Sequence, residues 1–231
     1  MEALILAAGL GTRLRPLTDN RPKALVEIGG RTLLEITIRR IAAAGVKRCV
    51  VNVHYFGDMV IDFINSRQWP CEMLISDERD MLLNTGGALK HAAKLFSGNE
   101  PVLVHNVDIL SDIDFNALEH HHLESHNLVT LCTSDRKSSR MLLFDSTGNL
   151  CGIYGQMDDK GLTALPFSGV SMLDPAIFDL MPPDDHPYPV FRCYLEIAKQ
   201  HRISYFMHPA DNWIDVGTHE TLDKARKNYS L

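Results

Sequence analysis

Short apolar runs alternate with stretches of helical periodicity through the first half of the chain. Ala3 to Ala7 reads as a buried strand. Leu33 to Ala44 carries apolar residues at helical spacing and stops at Gly45, a C-cap residue. Cys49 to Val53 is a short β-rich run, Gly57 to Asn65 is helical, and Glu72 to Ser76 is extended. Ala88 to Phe96 suits a helix and Pro101 to His105 a further strand. Strand, helix, strand, helix at this rhythm predicts a parallel sheet covered on both faces. Its crossovers should be right-handed.

The second half has a different rhythm. Leu128 to Thr133, Met141 to Phe144, Leu150 to Tyr154 and Leu165 to Leu173 read as strands joined by turns such as Ser146-Thr147-Gly148-Asn149. Phe191 to Gln200 reads as a helix, Ile203 to Met207 as a strand, and His219 to Asn228 as a closing helix. Met181 to Phe191, rich in Pro and acidic residues, reads as a loop. No internal repeat and no linker near residue 110 is visible, so 1–231 reads as one domain with halves of about 1–110 and 111–231. The fold class is α/β: a Rossmann-like, doubly wound mixed sheet, mostly parallel, with a small antiparallel extension.

Composition narrows the function. The 231 residues are 45% hydrophobic and 23% charged, an ordinary globular balance. A net charge of -6 argues against nucleic-acid binding, which usually needs a basic face. The five cysteines (Cys49, Cys71, Cys132, Cys151 and Cys193) are widely spaced without a CxxC, which predicts free thiols in a reducing compartment. No leader-like start and no apolar run of membrane-spanning length is seen, so the expectation is a soluble cytoplasmic protein without a membrane partner. Composition says nothing of oligomeric state.

Candidate chemistry begins in "ILAAGLGTRLRPLTDNRPKAL", Ile5 to Leu25. Ala7, Ala8 and Gly9 end the first strand, at the edge where doubly wound sheets bind ligands. Gly9 and Gly11 permit backbone angles that other residues resist, and successive N–H groups in such a loop make an anion-binding concavity. Arg13 offers a phosphate-matching fork and Lys23 a compact cation next to Pro22. A plain strand-to-helix turn with surface cations is the blander alternative, and the spacing fits neither GxGxxG nor GxxxxGK[ST].

Taken whole, the string resembles the signature of the sugar-phosphate nucleotidyltransferases, with Ala7, Ala8, Gly9, Gly11, Thr12, Arg13, Leu14, Pro16, Leu17, Thr18, Pro22, Lys23 and Leu25 on the motif. "LLNTGGALKHA" resembles that family's base-reading segment, with Asn84, Thr85, Gly86 and Gly87 as nucleotide-binding positions; an N-cap by Asn84 or Thr85 is a compatible reading. "VLVHNVDIL" places Asp108 where the family holds Mg²⁺, with Val107 in place of the usual Gly. "NWIDVGTHETL" places Asp215 as the second metal carboxylate. "LPFSGVSMLDP" resembles the sugar-facing strand, with Ser168 and Gly169 toward the sugar.

The resemblance implies an Mg²⁺-dependent transfer: NTP plus sugar 1-phosphate gives NDP-sugar plus pyrophosphate, with Arg13 and Lys23 catalytic, and UTP or GTP preferred to CTP. The short form is most similar to the N-acetylmuramate-1-phosphate uridylyltransferases and compact mannose-1-phosphate guanylyltransferases. The Val-Glu-Lys-Pro motif of many members is missing, which leaves Arg192, Arg140 and Lys160 as cations for the sugar phosphate. One rival is a cytidylyltransferase acting on phosphocholine or a similar small phosphate, with Tyr154, Phe167, Tyr188 and Tyr194 as the rings available for a cage. Others are a nucleotide-sensing module without catalysis, and a glycosyltransferase, which leaves Arg13 and Lys23 unexplained. "EHHHLESH" invites a metal reading, but adjacent His residues diverge on a helix, so a solvated face is expected.

Overall fold

The computed structural model describes residues 1–182 and 186–228. The expected Met181–Phe191 loop falls partly outside them. In chain order the strands are β1 (Glu2–Leu6), β2 (Glu27–Ile28), β3 (Arg31–Thr32), β4 (Arg48–Val53), β5 (Glu72–Asp77), β6 (Val102–Asn106) and β7 (Ile109–Leu110). They continue with β8 (Val129–Thr133), β9 (Leu142–Phe144), β10 (Leu150–Ile153), β11 (Thr163–Leu165), β12 (Phe167–Leu173), β13 (Ile203–Met207) and β14 (Ile214–Asp215). The helices are α1 (Leu33–Ala43), α2 (Gly57–Asn65), α3 (Asn84–Ala92), α4 (Phe115–Glu124), α5 (Ile177–Leu180), α6 (Val190–Ile197) and α7 (His219–Asn228).

The central sheet has the order β13-β8-β12-β6-β1-β4-β5. All of its pairs are parallel except those of β12, which runs antiparallel to both β6 and β8. β1 is inserted between β4 and β6, so Leu6 aligns with Asn52 on one side and Asn106 on the other. The chain winds toward β5 first and then crosses β1 to reach β6. That reversal opens a crevice at the carboxyl ends of the strands.

Both faces of the sheet are covered, as the continuous apolar runs require. Ala3 and Ile5 of β1 belong to a core with Leu34, Ile38 and Ile41 of α1, Val60 and Phe63 of α2, Leu118 of α4 and Leu222 of α7. Leu4 points to the opposite core, with Leu89 of α3, Phe178 of α5 and Tyr194 of α6. This second core also takes Leu142, Phe144 and Leu150 from the antiparallel β10-β9-β11 sheet. Both halves of the chain therefore feed one apolar cluster.

Local signals set several boundaries. Thr32 and Glu35 have capping-box spacing, and the Thr32 side chain accepts from the Glu35 amide at 3.1 Å at the start of α1. Gly45, at φ +91°, ends it. The side chain of Asp114 caps α4 by accepting from Asn116 and Ala117.

Three expectations need correction. α3 begins at Asn84, four residues before the expected Ala88. Gly86 and Gly87 are poor helix formers, but they are buried, and the Gly86 amide donates to the Tyr188 carbonyl at 2.9 Å; close packing overrides propensity. The strand expected over Leu165–Leu173 is two strands parted at Pro166, which has no N–H for a ladder. His122 is not on a solvated face: it is buried, with Nδ1 at 2.8 Å from the Thr130 hydroxyl. Among the described residues, no helix is long and apolar enough to cross a membrane.

Candidate active site

The crevice holds a cavity of about 580 Å³, lined mainly by residues 6–13, Lys23, Asn52, Glu78, Asn84, Thr85, residues 106–108 and Gly217. Its floor is the loop after β1. The Ala7 and Ala8 amides both donate to Asn52 Oδ1, at 2.6 and 3.2 Å. They are committed to that oxygen, so the concavity expected of this loop can begin only at Gly9. Asn52 Nδ2 in turn donates to Glu78 Oε1 at 2.9 Å. Asn52 and Glu78 are both buried, and burial raises the Glu78 pKa above the ordinary carboxyl value.

Beyond Gly9 the loop turns through Gly11 at φ +63°. A Cβ there would lie 3.0 Å from Thr18 Cγ2 and 3.1 Å from Lys23 Cβ. Gly11 therefore supplies both the left-handed backbone and the close approach that brings the loop onto Lys23. The Thr18 hydroxyl donates to the Gly11 carbonyl at 2.8 Å and closes the turn. Thr12–Leu14 is a single 3₁₀ turn that carries Arg13 into the cavity wall.

The two expected acids meet. β14 pairs with β7, opposing Asp215 to Ile109, and the Val216 amide donates to the Asp108 carbonyl at 2.8 Å. Val107, where the family usually has Gly, donates its amide to the Leu6 carbonyl at 3.1 Å. Pairing with β1 thus continues past β6, and Asp108 still reaches the cavity. Lys23 Nζ is ion-paired with Asp108 Oδ2. Arg13 and Asp215 lie on either side of Gly217: a Cβ there would lie 2.6 Å from Arg13 Nη2 and 2.8 Å from Asp215 Oδ1.

Asp215 Oδ1 is buried and has no hydrogen-bond partner among the described residues. Burial, and then the charge of Asp108, raise its pKa, while Lys23, Arg13 and Arg136 oppose them. Two converging carboxylates, one with a dry and unpaired oxygen, form a donor set suited to a hard divalent cation whose other ligands are phosphate and water. Among the described residues, no group of three His, Cys, Asp or Glu forms a metal cluster.

The base-side expectation divides. Asn84 and Thr85 line the cavity; Gly86 and Gly87 do not. A Cβ on Gly86 would strike the Tyr188 ring at 2.3 Å, and one on Gly87 the His186 carbonyl at 2.6 Å. These glycines seat α3 against residues 186–188. Neither N-cap reading for α3 holds in its usual form: Asn84 lies at φ +58° with Oδ1 accepting from the adjacent Thr85 amide. The Thr85 hydroxyl instead accepts from Val190, at the start of α6.

The sugar-side expectation shifts as well. Ser168 is fully buried, its hydroxyl 2.8 Å from His208 Nε2, and it does not line the cavity. Gly169, at φ +77°, lies beneath Ile109 and Asn106, where a Cβ would stand 2.6 Å from Ile109 Cγ1. Its open backbone lets β12 pass under the segment between β6 and β7 that carries Asp108. Arg140, Lys160 and Arg192 are all exposed and line no part of the cavity. Tyr154 is exposed while Tyr194 is buried against Phe191, so these rings form no common cage.

Sequence reasoning missed Asn52, Glu78, Arg40 and Arg136. The signal for Asn52 was a polar residue inside an apolar strand, which needs a buried partner. Arg40 on α1 donates to Ser111 Oγ at 3.0 Å and to the Ile113 carbonyl, bracing the chain just beyond β7. Arg136 stacks 4.0 Å above the Trp213 ring, and its charge reaches Asp215.

A sequence model of the nucleotidyl transferase family matches residues 2–141. The N-acetylmuramate alpha-1-phosphate uridylyltransferase of Caulobacter vibrioides is 34% identical, over 93% of this chain and 91% of its own. That of Neisseria meningitidis is 32% identical, over 98% and 97%. The mannose-1-phosphate guanyltransferase of Debaryomyces hansenii is 29% identical over 94% of this chain, but only 61% of its own length is matched. Among solved structures, HddC from Yersinia pseudotuberculosis, complexed with GMP-PN, superposes with a TM-score of 0.80 at 23% identity, covering 99% of both chains. The inositol-1-phosphate CTP transferase of T. maritima gives 0.75 at 16% identity, over 100% of this chain and 98% of its own. At those identities the likeness is one of fold.

Proposed function

Because this chain belongs to the nucleotidyl transferase family, we propose that it joins UTP to N-acetylmuramate 1-phosphate, giving the UDP-sugar and pyrophosphate. It is a sugar-1-phosphate nucleotidyltransferase. The choice of UTP and of this sugar rests on the two relatives matched over nearly their whole length. GTP with mannose 1-phosphate is the second reading, favoured by the guanyltransferase relatives.

The observation that carries the mechanism is the convergence of Arg13, Lys23, Asp108 and Asp215 at one mouth of the sheet. A sugar-phosphate oxygen attacks the α-phosphorus in line; the new O–P bond forms as the bond to the bridging oxygen breaks, and pyrophosphate departs. No protein nucleophile is needed, so the residues act by positioning and by charge. Arg13 holds the departing pyrophosphate. Lys23, aligned by Asp108, stands at the α-phosphate and draws the two anions together. Ala7, Ala8, Gly9, Gly11 and Thr12 shape the loop beneath the phosphates, while Asn84 and Thr85 face the base. Asp108 and Asp215 are the residues that would hold Mg²⁺, whose chemistry there would be to neutralise charge on the phosphates.

On this reading 1–231 works as one domain, since the two halves share a core. A cytoplasmic setting follows from the nucleoside triphosphate substrate and is in keeping with five free thiols. The complete charge set favours catalysis over nucleotide sensing alone. The test is pyrophosphate release from UTP, GTP, CTP and dTTP, each paired with N-acetylmuramate, mannose and glucose 1-phosphates and with phosphocholine. UTP with N-acetylmuramate 1-phosphate should turn over fastest. Preference for another sugar 1-phosphate would move the substrate assignment, and turnover of phosphocholine alone would overturn the reaction.

A further inference from the structure

We propose that Arg136, with Ser134, receives the phosphate of the sugar 1-phosphate; the assignment rests on the reaction proposed above. Arg136 lies in the loop after β8 and is half-buried. Its guanidinium is held flat on Trp213, and Nη2 donates to the Phe167 carbonyl at 2.7 Å. Nη1 is buried and has no hydrogen-bond partner among the described residues. A charged donor that is both dry and unpaired is costly unless a ligand supplies the acceptor.

Ser134 gives a second, independent sign. It is fully buried, and its hydroxyl also lacks a partner among the described residues. Ser134 and Arg136 line the same hollow of about 340 Å³, where Lys137 offsets the carboxylate of Asp135 and Met141, Leu165 and Pro166 supply apolar wall. Two residues that line one hollow each carry a donor without a partner among the described residues, and one is a guanidinium with phosphate-matching geometry; together they point to a phosphate ligand.

The position of Arg136 says which phosphate. Trp213, just before Asp215, stacks on Arg136; Gly217, just after it, packs on Arg13. The two guanidinium groups thus pack against the residues two before and two after Asp215. Arg13 lines the nucleotide cavity and Arg136 does not. The cation that stands at the acids yet outside the triphosphate's cavity is placed for the second anion. Arg136 supplies what the absent Glu-Lys-Pro motif would have supplied, from a different element.

The test is steady-state kinetics of the whole chain with Mg²⁺, using whichever pair from the substrate panel the wild type turns over. Arg136→Gln should raise KM for the sugar 1-phosphate roughly 10- to 100-fold, as loss of a charged hydrogen bond to phosphate does. KM for the nucleotide should stay within about threefold, because Arg136 lies outside that cavity. Arg136→Lys should recover part of the loss, and Ser134→Ala should give a smaller rise of about three- to tenfold in the same parameter. An unchanged sugar-phosphate KM in Arg136→Gln overturns the assignment alone. So does an equal rise in both KM values, or a fall in Tm with no recovery in Arg136→Lys, which would make Arg136 a brace for Trp213. A wild type inactive on every pair overturns the reaction and this assignment together.

Discussion

The amide of Val216 donates to the carbonyl of Asp108 at 2.8 Å, which fastens the chain around Asp215 to the turn that carries Asp108. One backbone bond between distant segments puts two carboxylates side by side. The arrangement is electrostatically unfavourable in the free protein, because Asp215 Oδ1 is buried and has no hydrogen-bond partner among the described residues. Sites that develop charge in the transition state are commonly built this way, with local stability given up to function.

The trade-off is measurable at Asp215. Asp215→Asn should abolish Mg²⁺-stimulated turnover, with kcat down at least about 100-fold. Its Tm without divalent ions should not fall, because the substitution removes a buried like-charge contact with Asp108. Mg²⁺ titrations of pyrophosphate release, beside thermal melts with and without the ion, test both halves. A variant that keeps wild-type Mg²⁺ stimulation removes Asp215 from the metal site.

Arg13 and Lys23 should separate by stability. Each Ala variant should lose roughly 100- to 1,000-fold in kcat. Arg13 is exposed, so Arg13→Ala should melt as the wild type does. Lys23 is buried and pairs with Asp108, so Lys23→Ala should also lower Tm by leaving that carboxylate beside Asp215 uncompensated. Near-normal turnover in either variant contradicts its role.

Asn52 should act on the loop without touching the reacting atoms. Asn52→Leu strands the Ala7 and Ala8 amides and one oxygen of Glu78 in a buried setting. A stability loss of about 2–4 kcal/mol is expected, from unsatisfied buried donors at ~1–3 kcal/mol each, partly relieved by relaxation. KM for the nucleotide should rise more than kcat falls. Urea melts and initial rates check the two; a variant as stable as the wild type would show that the network is dispensable.

His122 sets a pH dependence of stability. Burial lowers its pKa from 6.5 to about 4. Between those values the unfolded chain binds a proton that the folded protein does not. The contribution of neutral His122 is therefore intact above pH 6.5 and is lost progressively as pH falls toward 4. The slope is about 1.4 kcal/mol per pH unit for one such proton. His105, lowered to about 3 by burial and the Arg40 charge, adds a second proton over the same range. His122→Gln should flatten the slope of unfolding free energy between pH 6 and 4.5 by about one proton. Equal slopes in variant and wild type would refute the assignment.

Much was legible from one dimension. Short apolar or β-rich runs located β1, β4 and β5, and period-3.6 patterns α1 and α2, to within a residue or two, because central strands bury both faces and helices bury one stripe. The loop signature marked Arg13 and Lys23 because phosphate chemistry demands cations next to small residues. What failed failed for a tertiary reason. Gly86 and Gly87 were taken for base contacts, since a glycine's openness to a ligand and to a neighbouring segment look alike in sequence; His186 and Tyr188 occupy that space. The sugar-phosphate cation was sought among Arg140, Lys160 and Arg192, whereas the guanidinium nitrogen left without a partner among the described residues is Arg136 Nη1.

The sequence by itself determined the alternation of elements and the family signature of the first loop, because these depend on side-chain type and short-range spacing. Only the tertiary structure decided that β14 lies along β7, that Asn52 turns two loop amides inward, and that Arg136 Nη1 and Ser134 Oγ are buried without a partner among the described residues. Such contacts join segments far apart in the chain. Their energies depend on burial and on which donor meets which acceptor, and no local pattern encodes either.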